Sequence, residues 1–325
     1  MTYTTDNLLE KTEQYISGLG LVQPPVTLYE PVAYCLRQGG KRMRPLMTLM
    51  GCELFGGNPE RALPAAVGLE LFHNFTLMHD DIMDQAPMRR GQPTVYKKWN
   101  ANAAILSGDV MFALAYQHVM KVPDRHLRTV MEVFNQTVIE VCEGQQYDMD
   151  FETMNRVSES DYLNMIRLKT AVLPAACLKV GAILAGAPDS EVQQLYLFGE
   201  SIGLAFQLMD DWLDVYGDEK VFGKKTGGDI VANKKTWLYI KAFELADAGQ
   251  QQLLQDAFSN RIPNPEEKIS AVKGVYTQLR LDVLARQEME KYYAKAFNHL
   301  EKIRVPDTAK QKLRELAEGL FERRM

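Results

Sequence analysis

Apolar residues recur every three or four positions along most of the chain, the spacing of an α-helix with one buried face. Segments 61–84, 101–121, 126–150, 160–186, 189–215, 233–247 and 269–300 carry this period. No segment alternates apolar and polar residues strictly enough to predict a strand. Proline and glycine punctuate the helical stretches at Pro87, Pro93, Pro123, Pro188, Gly217, Gly223, Gly227 and Gly228, which predicts turns there. Two segments, LPAAVGLELFHNFTLM and TAVLPAACLKVGAILAG, are apolar around most of the helix circumference. Such helices sit inside a bundle, where ligand sites are usually built. No low-complexity linker divides the chain, so residues 1–325 are expected to form one all-α domain.

Composition narrows the class. With 46% hydrophobic residues over 325 positions, the chain can bury a sizeable core without covalent staples. The four cysteines, Cys35, Cys52, Cys142 and Cys177, show no paired spacing. They predict small core residues of a reduced protein, not a disulfide framework or a zinc site. The N-terminal stretch has no long apolar run, and no run of about eighteen apolar residues occurs anywhere. Neither a signal peptide nor a membrane span is expected, which points to the cytoplasm. A net charge of −5 argues against a general nucleic-acid binder, which needs a basic surface.

The candidate chemistry lies in two aspartate clusters. The run Phe75-Thr76-Leu77-Met78-His79-Asp80-Asp81-Ile82-Met83-Asp84 resembles Phe206-Gln207-Leu208-Met209-Asp210-Asp211-Trp212-Leu213-Asp214. Each is an apolar helical run ending in Asp-Asp-x-x-Asp, through either duplication or convergence. Residues four apart share a helix face, so Asp80 projects with Asp84 and Asp210 with Asp214. Asp81 and Asp211 lie about 100° further round. Pro87 and Gly217 follow closely, which places both clusters near helix C-termini, where the dipole repels carboxylates. Bound cations would reverse each of these unfavourable interactions. Carboxylates without Cys or His suit magnesium, calcium or manganese, and magnesium so held commonly shares its shell with substrate phosphates. The alternative is a solvated acidic helix end, which fits two such copies poorly.

Basic residues gather beside these clusters: Lys41, Arg42 and Arg44 after Gly39-Gly40, then Arg89-Arg90, Lys224-Lys225 and Lys234-Lys235, the last pair expected to open a helix. Taken singly, each reads as a surface patch. Taken together beside carboxylates, they favour a metal-bridged diphosphate site. No Walker-type phosphate loop is present.

These motifs, in this order, resemble the trans-isoprenyl diphosphate synthases, the family of farnesyl and geranylgeranyl diphosphate synthases. The resemblance covers about residues 37–240 and includes Ser-Gly-Asp at 107–109, Gly-Gln at 144–145, Lys-Thr at 169–170, Gly-Asp-Ile at 228–230 and Lys-x-Thr at 234–236. It implies an all-α bundle of the isoprenoid synthase type around a deep central cavity. It also implies magnesium-dependent condensation of isopentenyl diphosphate with an allylic diphosphate, and a homodimer. In family terms Asp80 and Asp84 would ligate two of three magnesium ions and Asp210 the third, supported by Asp81, Asp211 and Asp214. Arg89, Lys169, Lys224 and Lys234 would hold the allylic diphosphate. Lys41, Arg44, His73 and Arg90 would hold isopentenyl diphosphate. Thr170 and Gln207 would lie beside the allylic carbon. The ending Phe321-Glu322-Arg323-Arg324-Met325 resembles basic tails of some relatives, or is a solvated helix end.

Phe75 precedes Asp80 by five residues, about 7.5 Å along a helix, and could floor the pocket for the growing chain. Thr76 beside it is small, and Phe72 would be the next barrier. This pattern resembles synthases that stop at twenty carbons, with the fifteen-carbon product as the alternative. A terpene cyclase would lack the isopentenyl site, yet Lys41, Arg44 and Arg90 are present. A non-catalytic binding subunit should have lost part of one cluster, yet both are intact. A helical scaffold that binds calcium incidentally at its acidic ends is a third alternative and predicts no turnover.

Overall fold

The computed structural model describes residues 3–21, 23–154, 156–217 and 226–322. Numbered along the chain, the helices are α1 (Thr5–Ser17), α2 (Val26–Arg37), α3 (Met43–Leu54), α4 (Pro59–Met83), α5 (Val95–Lys98), α6 (Ala101–Val119), α7 (Asp124–Thr153) and α8 (Glu159–Ile166). A π-turn, Arg167–Ala171, leads into α9 (Val172–Ala185). There follow α10 (Asp189–Tyr216), α11 (Gly228–Val231), α12 (Trp237–Leu245), α13 (Ala248–Phe258), α14 (Pro265–Gln278), α15 (Leu281–Lys302) and α16 (Asp307–Glu322). The expected all-α class is what the chain adopts.

Local sequence explains where the helices begin. Asn58 caps α4 by accepting from the Glu60 N–H at 3.0 Å, and Pro59 occupies the first helical position, where its missing N–H costs nothing. Asn264 and Pro265 repeat the device at α14. The periodicity misleads in three places. The pattern over 233–247 yields a helix only from Trp237, because Thr236 is the cap, so Lys234 and Lys235 precede the helix. The pattern over 269–300 is broken at Arg280, whose φ of 55° starts α15. A two-stranded ribbon, Met88–Arg89 with Gln92–Pro93, is too short for any alternation to show.

The residues group into two compact units. The first comprises Met1–Asn135, Ala176–Leu195 and Arg304–Lys312. Its centre is α4, which packs on α3 and α6 and buries Ala65, Ala66, Val67, Leu69, Leu71 and Phe72 on all sides. A buried Leu or Phe contributes about 1.5–3 kcal/mol relative to exposure. The second comprises Gln136–Ala175, Tyr196–Ile303 and Leu313–Met325. Its core includes Tyr162, Leu208, Met209, Trp212, Trp237 and Tyr276. Cys35, Cys52 and Cys177 are buried as expected, but Cys142 is exposed. One run, Glu159–Ala185, is apolar and long enough to cross a membrane by length and composition; 67% of its most apolar window is buried within the protein. Scattered polar residues hid it from a count of uninterrupted apolar positions.

Candidate active site

In the first unit, α4 ends at the first aspartate cluster, with Asp84 as its cap and the Asp84 N–H donating to the Asp80 carbonyl at 2.8 Å. Beyond it the short ribbon turns through Arg90 (φ 52°) and Gly91 (φ 73°), a left-handed pair that suits a two-residue hairpin. Arg89 on the strand returns to the helix. Its Nε donates to Asp81 Oδ1 at 2.8 Å, and its Nη2 lies 3.6 Å from Asp80 Oδ2. Burial raises the Asp81 carboxyl despite that contact. Asp84 is exposed.

A cationic group forms on the same unit. Arg90 donates to the Gly39 carbonyl, and its guanidinium lies where a Cβ on Gly40 would sit. Burial and the charges of Arg44, Arg90, Arg89 and Arg42 depress His73 well below its ordinary value. The Arg44 Nε is buried and, among the described residues, has no hydrogen-bond partner. An unsatisfied buried donor of this kind is costly unless a ligand supplies the acceptor. Arg42, in the same basic run, does something else. Its left-handed backbone (φ 47°) turns it inward to Glu13 at 2.7 Å, Glu70 at 3.0 Å and the Leu36 carbonyl at 2.7 Å. Lys41 is left exposed.

In the second unit, a cavity of about 240 Å³ is lined by Asp210, Asp211 and Asp214, and by Lys169, Thr170, Gln207 and Lys234. Lys169 and Thr170 sit on the π-turn, which is gripped from two sides. A Cβ on Gly144 of α7 would meet the Lys169 nitrogen at 2.2 Å, and one on Gly203 of α10 would meet the Ala171 Cα at 2.5 Å. π-turns are uncommon and concentrate at functional sites. Lys169 Nζ reaches Asp148 Oδ2 at 2.5 Å, and Lys234 Nζ lies 3.9 Å from Asp229 Oδ1. Asp214 Oδ2 accepts from the Asp229 N–H at 3.0 Å and so fastens the start of α11. Thr170 donates to Gln207 Oε1 at 3.0 Å, while Gln207 Nε2 donates to Asp211 Oδ1 at 3.0 Å.

Five aspartates (Asp148, Asp210, Asp211, Asp214 and Asp229) and Glu152 share this cavity with the ammonium groups of Lys169, Lys234 and Lys235. Burial first, then mutual repulsion, raises Asp211, Asp214 and Asp229. An all-oxygen donor set with surplus negative charge fits a hard divalent cation. Among the described residues no three His, Cys, Asp or Glu side chains converge to enclose an ion by themselves. Magnesium takes one or two carboxylates and completes its shell with water and substrate phosphate.

A family model described as polyprenyl synthetase matches residues 25–276. The chain belongs to the polyprenyl synthetase family. It is accordingly a prenyltransferase. It is 39% identical over 317 residues to the geranylgeranyl diphosphate synthase of Sulfolobus acidocaldarius, covering 96% of this chain and 94% of that one. It is 46% identical over 225 residues to the geranylgeranyl diphosphate synthase of Methanosarcina mazei, covering 69% of each. The crystal structure of a geranylgeranyl pyrophosphate synthase superposes with a TM-score of 0.93 at 41% identity over 100% of both chains.

Among the residues of this polyprenyl synthetase's cavity that the sequence reading gave no role are Asp148, Asp229 and Tyr162. Asp148 lies four residues after Gly144 in a run of mixed polarity, and Asp229 stands in the Gly-Asp-Ile motif, which was the available signal. Tyr162 carried none. Lys224 and the Arg323-Arg324 pair lie outside the described residues.

Proposed function

We propose that this polyprenyl synthetase condenses isopentenyl diphosphate head-to-tail with allylic diphosphates and releases geranylgeranyl diphosphate, acting as one domain over residues 1–325. The observation that carries this assignment is the second-unit cavity, where five aspartates meet Lys169 and Lys234 around Thr170 and Gln207. The names of the Sulfolobus and Methanosarcina relatives support the twenty-carbon product.

Asp80, Asp84 and Asp210 are the assigned magnesium ligands, three ions being expected with substrate, and Asp81, Asp211 and Asp214 support them. Bound magnesium would supply Lewis-acid stabilisation of the departing diphosphate. Arg89, Lys169, Lys224 and Lys234 hold the allylic diphosphate and balance its charge as the carbon–oxygen bond breaks. Lys41, Arg44, His73 and Arg90 hold isopentenyl diphosphate; the unsatisfied Arg44 Nε and the cations around His73 support an anion there. Thr170 and Gln207 present oxygen atoms beside the developing allylic cation. The double bond of isopentenyl diphosphate attacks that carbon, and the departing diphosphate takes the proton lost afterwards. Water would quench the cation and must be kept out, and Phe151, Met165 and Ile166 form the apolar part of the cavity lining.

Phe75 floors the chain pocket beside Thr76, with Phe72 behind it. Exposed Ile105 (42%), Leu106 (59%) and Met120 (52%) at α6 support a homodimer, since such patches commonly mark association surfaces. A cytoplasmic location without membrane insertion follows from the same assignment.

The test is product analysis with magnesium, isopentenyl diphosphate and dimethylallyl, geranyl or farnesyl diphosphate in turn. A twenty-carbon prenyl diphosphate, abolished by chelator, is expected. No incorporation with any primer would sink the assignment, and a fifteen-carbon end product would correct its length.

A further inference from the structure

The hydroxyl of Tyr162, on α8, is the only polar atom of its side chain. The residue is 2% exposed and lies in the core of the second unit. That hydroxyl donates to Asp211 Oδ2, across 49 residues of sequence. Asp211 is itself 6% exposed, so both of its oxygens are committed: Oδ2 to Tyr162 and Oδ1 to the Gln207 amide nitrogen at 3.0 Å. Asp211 Oδ1 accepts from Gln207 Nε2 and its Oδ2 from the Tyr162 hydroxyl, so the amide presents its NH2 end to Asp211. Its oxygen is thereby turned to Thr170, whose hydroxyl donates to it at 3.0 Å. With the amide reversed, two oxygens would face each other at Asp211 and the NH2 group would face Thr170.

We propose that Tyr162 is a positioning residue of the transfer step, fixing through Asp211 which end of the Gln207 amide meets Thr170. This rests on the prenyl-transfer assignment above. The cavity wall then carries the oxygens of Thr170 and Gln207 where positive charge develops, an arrangement that favours the cation because it is set beforehand. Removing the Tyr162 hydroxyl leaves a buried carboxylate oxygen unsatisfied and frees the carboxylate to turn away from Gln207.

Tyr162→Phe should lower kcat about 10- to 100-fold, the loss of one hydrogen bond to a buried charge. The KM for isopentenyl diphosphate and the half-saturating magnesium concentration should stay as in the wild type. In a Gln207→Ala background the same substitution should cost no more than about twofold, because nothing remains to be positioned. Unchanged kcat, equal losses in both backgrounds, or a rise in half-saturating magnesium would each overturn the proposal, the last by showing that Tyr162 serves the metal carboxylates. Should Tyr162→Phe not fold, the unaltered protein labelled with 15N-glutamine gives a second readout. The Gln207 side-chain amide protons should exchange slowly with solvent, and rapid exchange would remove the proposal. A wild-type protein that incorporates no isopentenyl diphosphate would remove the parent assignment and this inference with it. Wild-type turnover with an unslowed Tyr162→Phe would remove this inference alone.

Discussion

Gly144 and Lys169 touch through their backbones: a Cβ on Gly144 would fall 2.2 Å from the Lys169 nitrogen. The π-turn that carries Lys169 and Thr170 keeps its position because α7 has no side chain there. Gly144→Ala must displace that turn, at a cost of about 1–3 kcal/mol for overpacking. Misplacing reacting groups by even 1 Å can cost about 100-fold in rate. We therefore expect kcat to fall about 10- to 100-fold with a modest drop in melting temperature. Wild-type kinetics in Gly144→Ala would show that the turn is not position-critical.

Arg42 and Lys41 are neighbours that face opposite environments. Arg42 is 4% exposed and holds the buried Glu70, so Arg42→Ala leaves a buried carboxylate uncompensated and should cost about 3–5 kcal/mol. Lys41 is exposed; Lys41→Ala should change stability by no more than about 0.5 kcal/mol and raise the KM for isopentenyl diphosphate. Urea unfolding and steady-state kinetics on both variants separate the two roles. Equal stability losses would contradict this division.

Phe75 does not stand alone. Phe112 stacks on it at 4.9 Å between ring centroids, and Phe72, fully buried, touches both rings at 5.9 and 6.0 Å. Phe75→Ala should shift the product beyond twenty carbons, and adding Phe112→Ala should shift it further than either change alone. Chromatography of the dephosphorylated products reads the length directly. An unaltered distribution in the double variant would place the pocket floor elsewhere.

His118 makes the fold sensitive to acid. It is buried, Tyr15 and Lys121 approach its Nδ1 at 3.1 and 3.4 Å, and desolvation followed by the Lys121 charge lowers it to about 4 from 6.5. The unfolded chain takes up a proton near pH 6.5 that the folded protein refuses until about pH 4. This contribution is therefore intact above pH 6.5, declines as the pH falls toward 4 and levels off below it. Its size is about 3 kcal/mol. Urea midpoints should fall less over this window in His118→Gln than in the wild type. Identical slopes would show that other groups govern the acid response.

The helices and both aspartate clusters were legible because their signals are local: a repeat of three to four residues, and carboxylates spaced to share a face. What stayed hidden depends on partners distant in the chain. Tyr162 meets Asp211 across 49 residues and Lys169 meets Asp148 across 21, and no helical spacing announces such pairs. The different surroundings of Lys41 and Arg42 follow from one left-handed residue, Arg42, since composition cannot show which cation of a basic run turns inward. The π-turn was equally silent, because Arg167–Ala171 keeps the apolar rhythm of its flanking helices. Phe112 belongs to a different helix from Phe75, so one aromatic was visible beside the cluster and its stacking partner was not.

Lys268 is 3% exposed and spends its ammonium on the chain beside the cavity, donating to Asn233 Oδ1 at 2.5 Å and to the Val231 carbonyl at 3.3 Å. On the same α14, Ile269 fills the space where a Cβ on Gly227 would sit, 2.8 Å away. Asp229 and Lys234 thus lie on a short segment moored from a helix more than thirty residues downstream, at |i−j| of 37 and 35. A shortened enzyme that stops after the last recognisable motif would keep every motif residue and lose this mooring. Trimming the chain for crystallisation, fusion or display should therefore spare everything through Gln278, and directed evolution of the cavity has a lever at Lys268 that touches no motif residue.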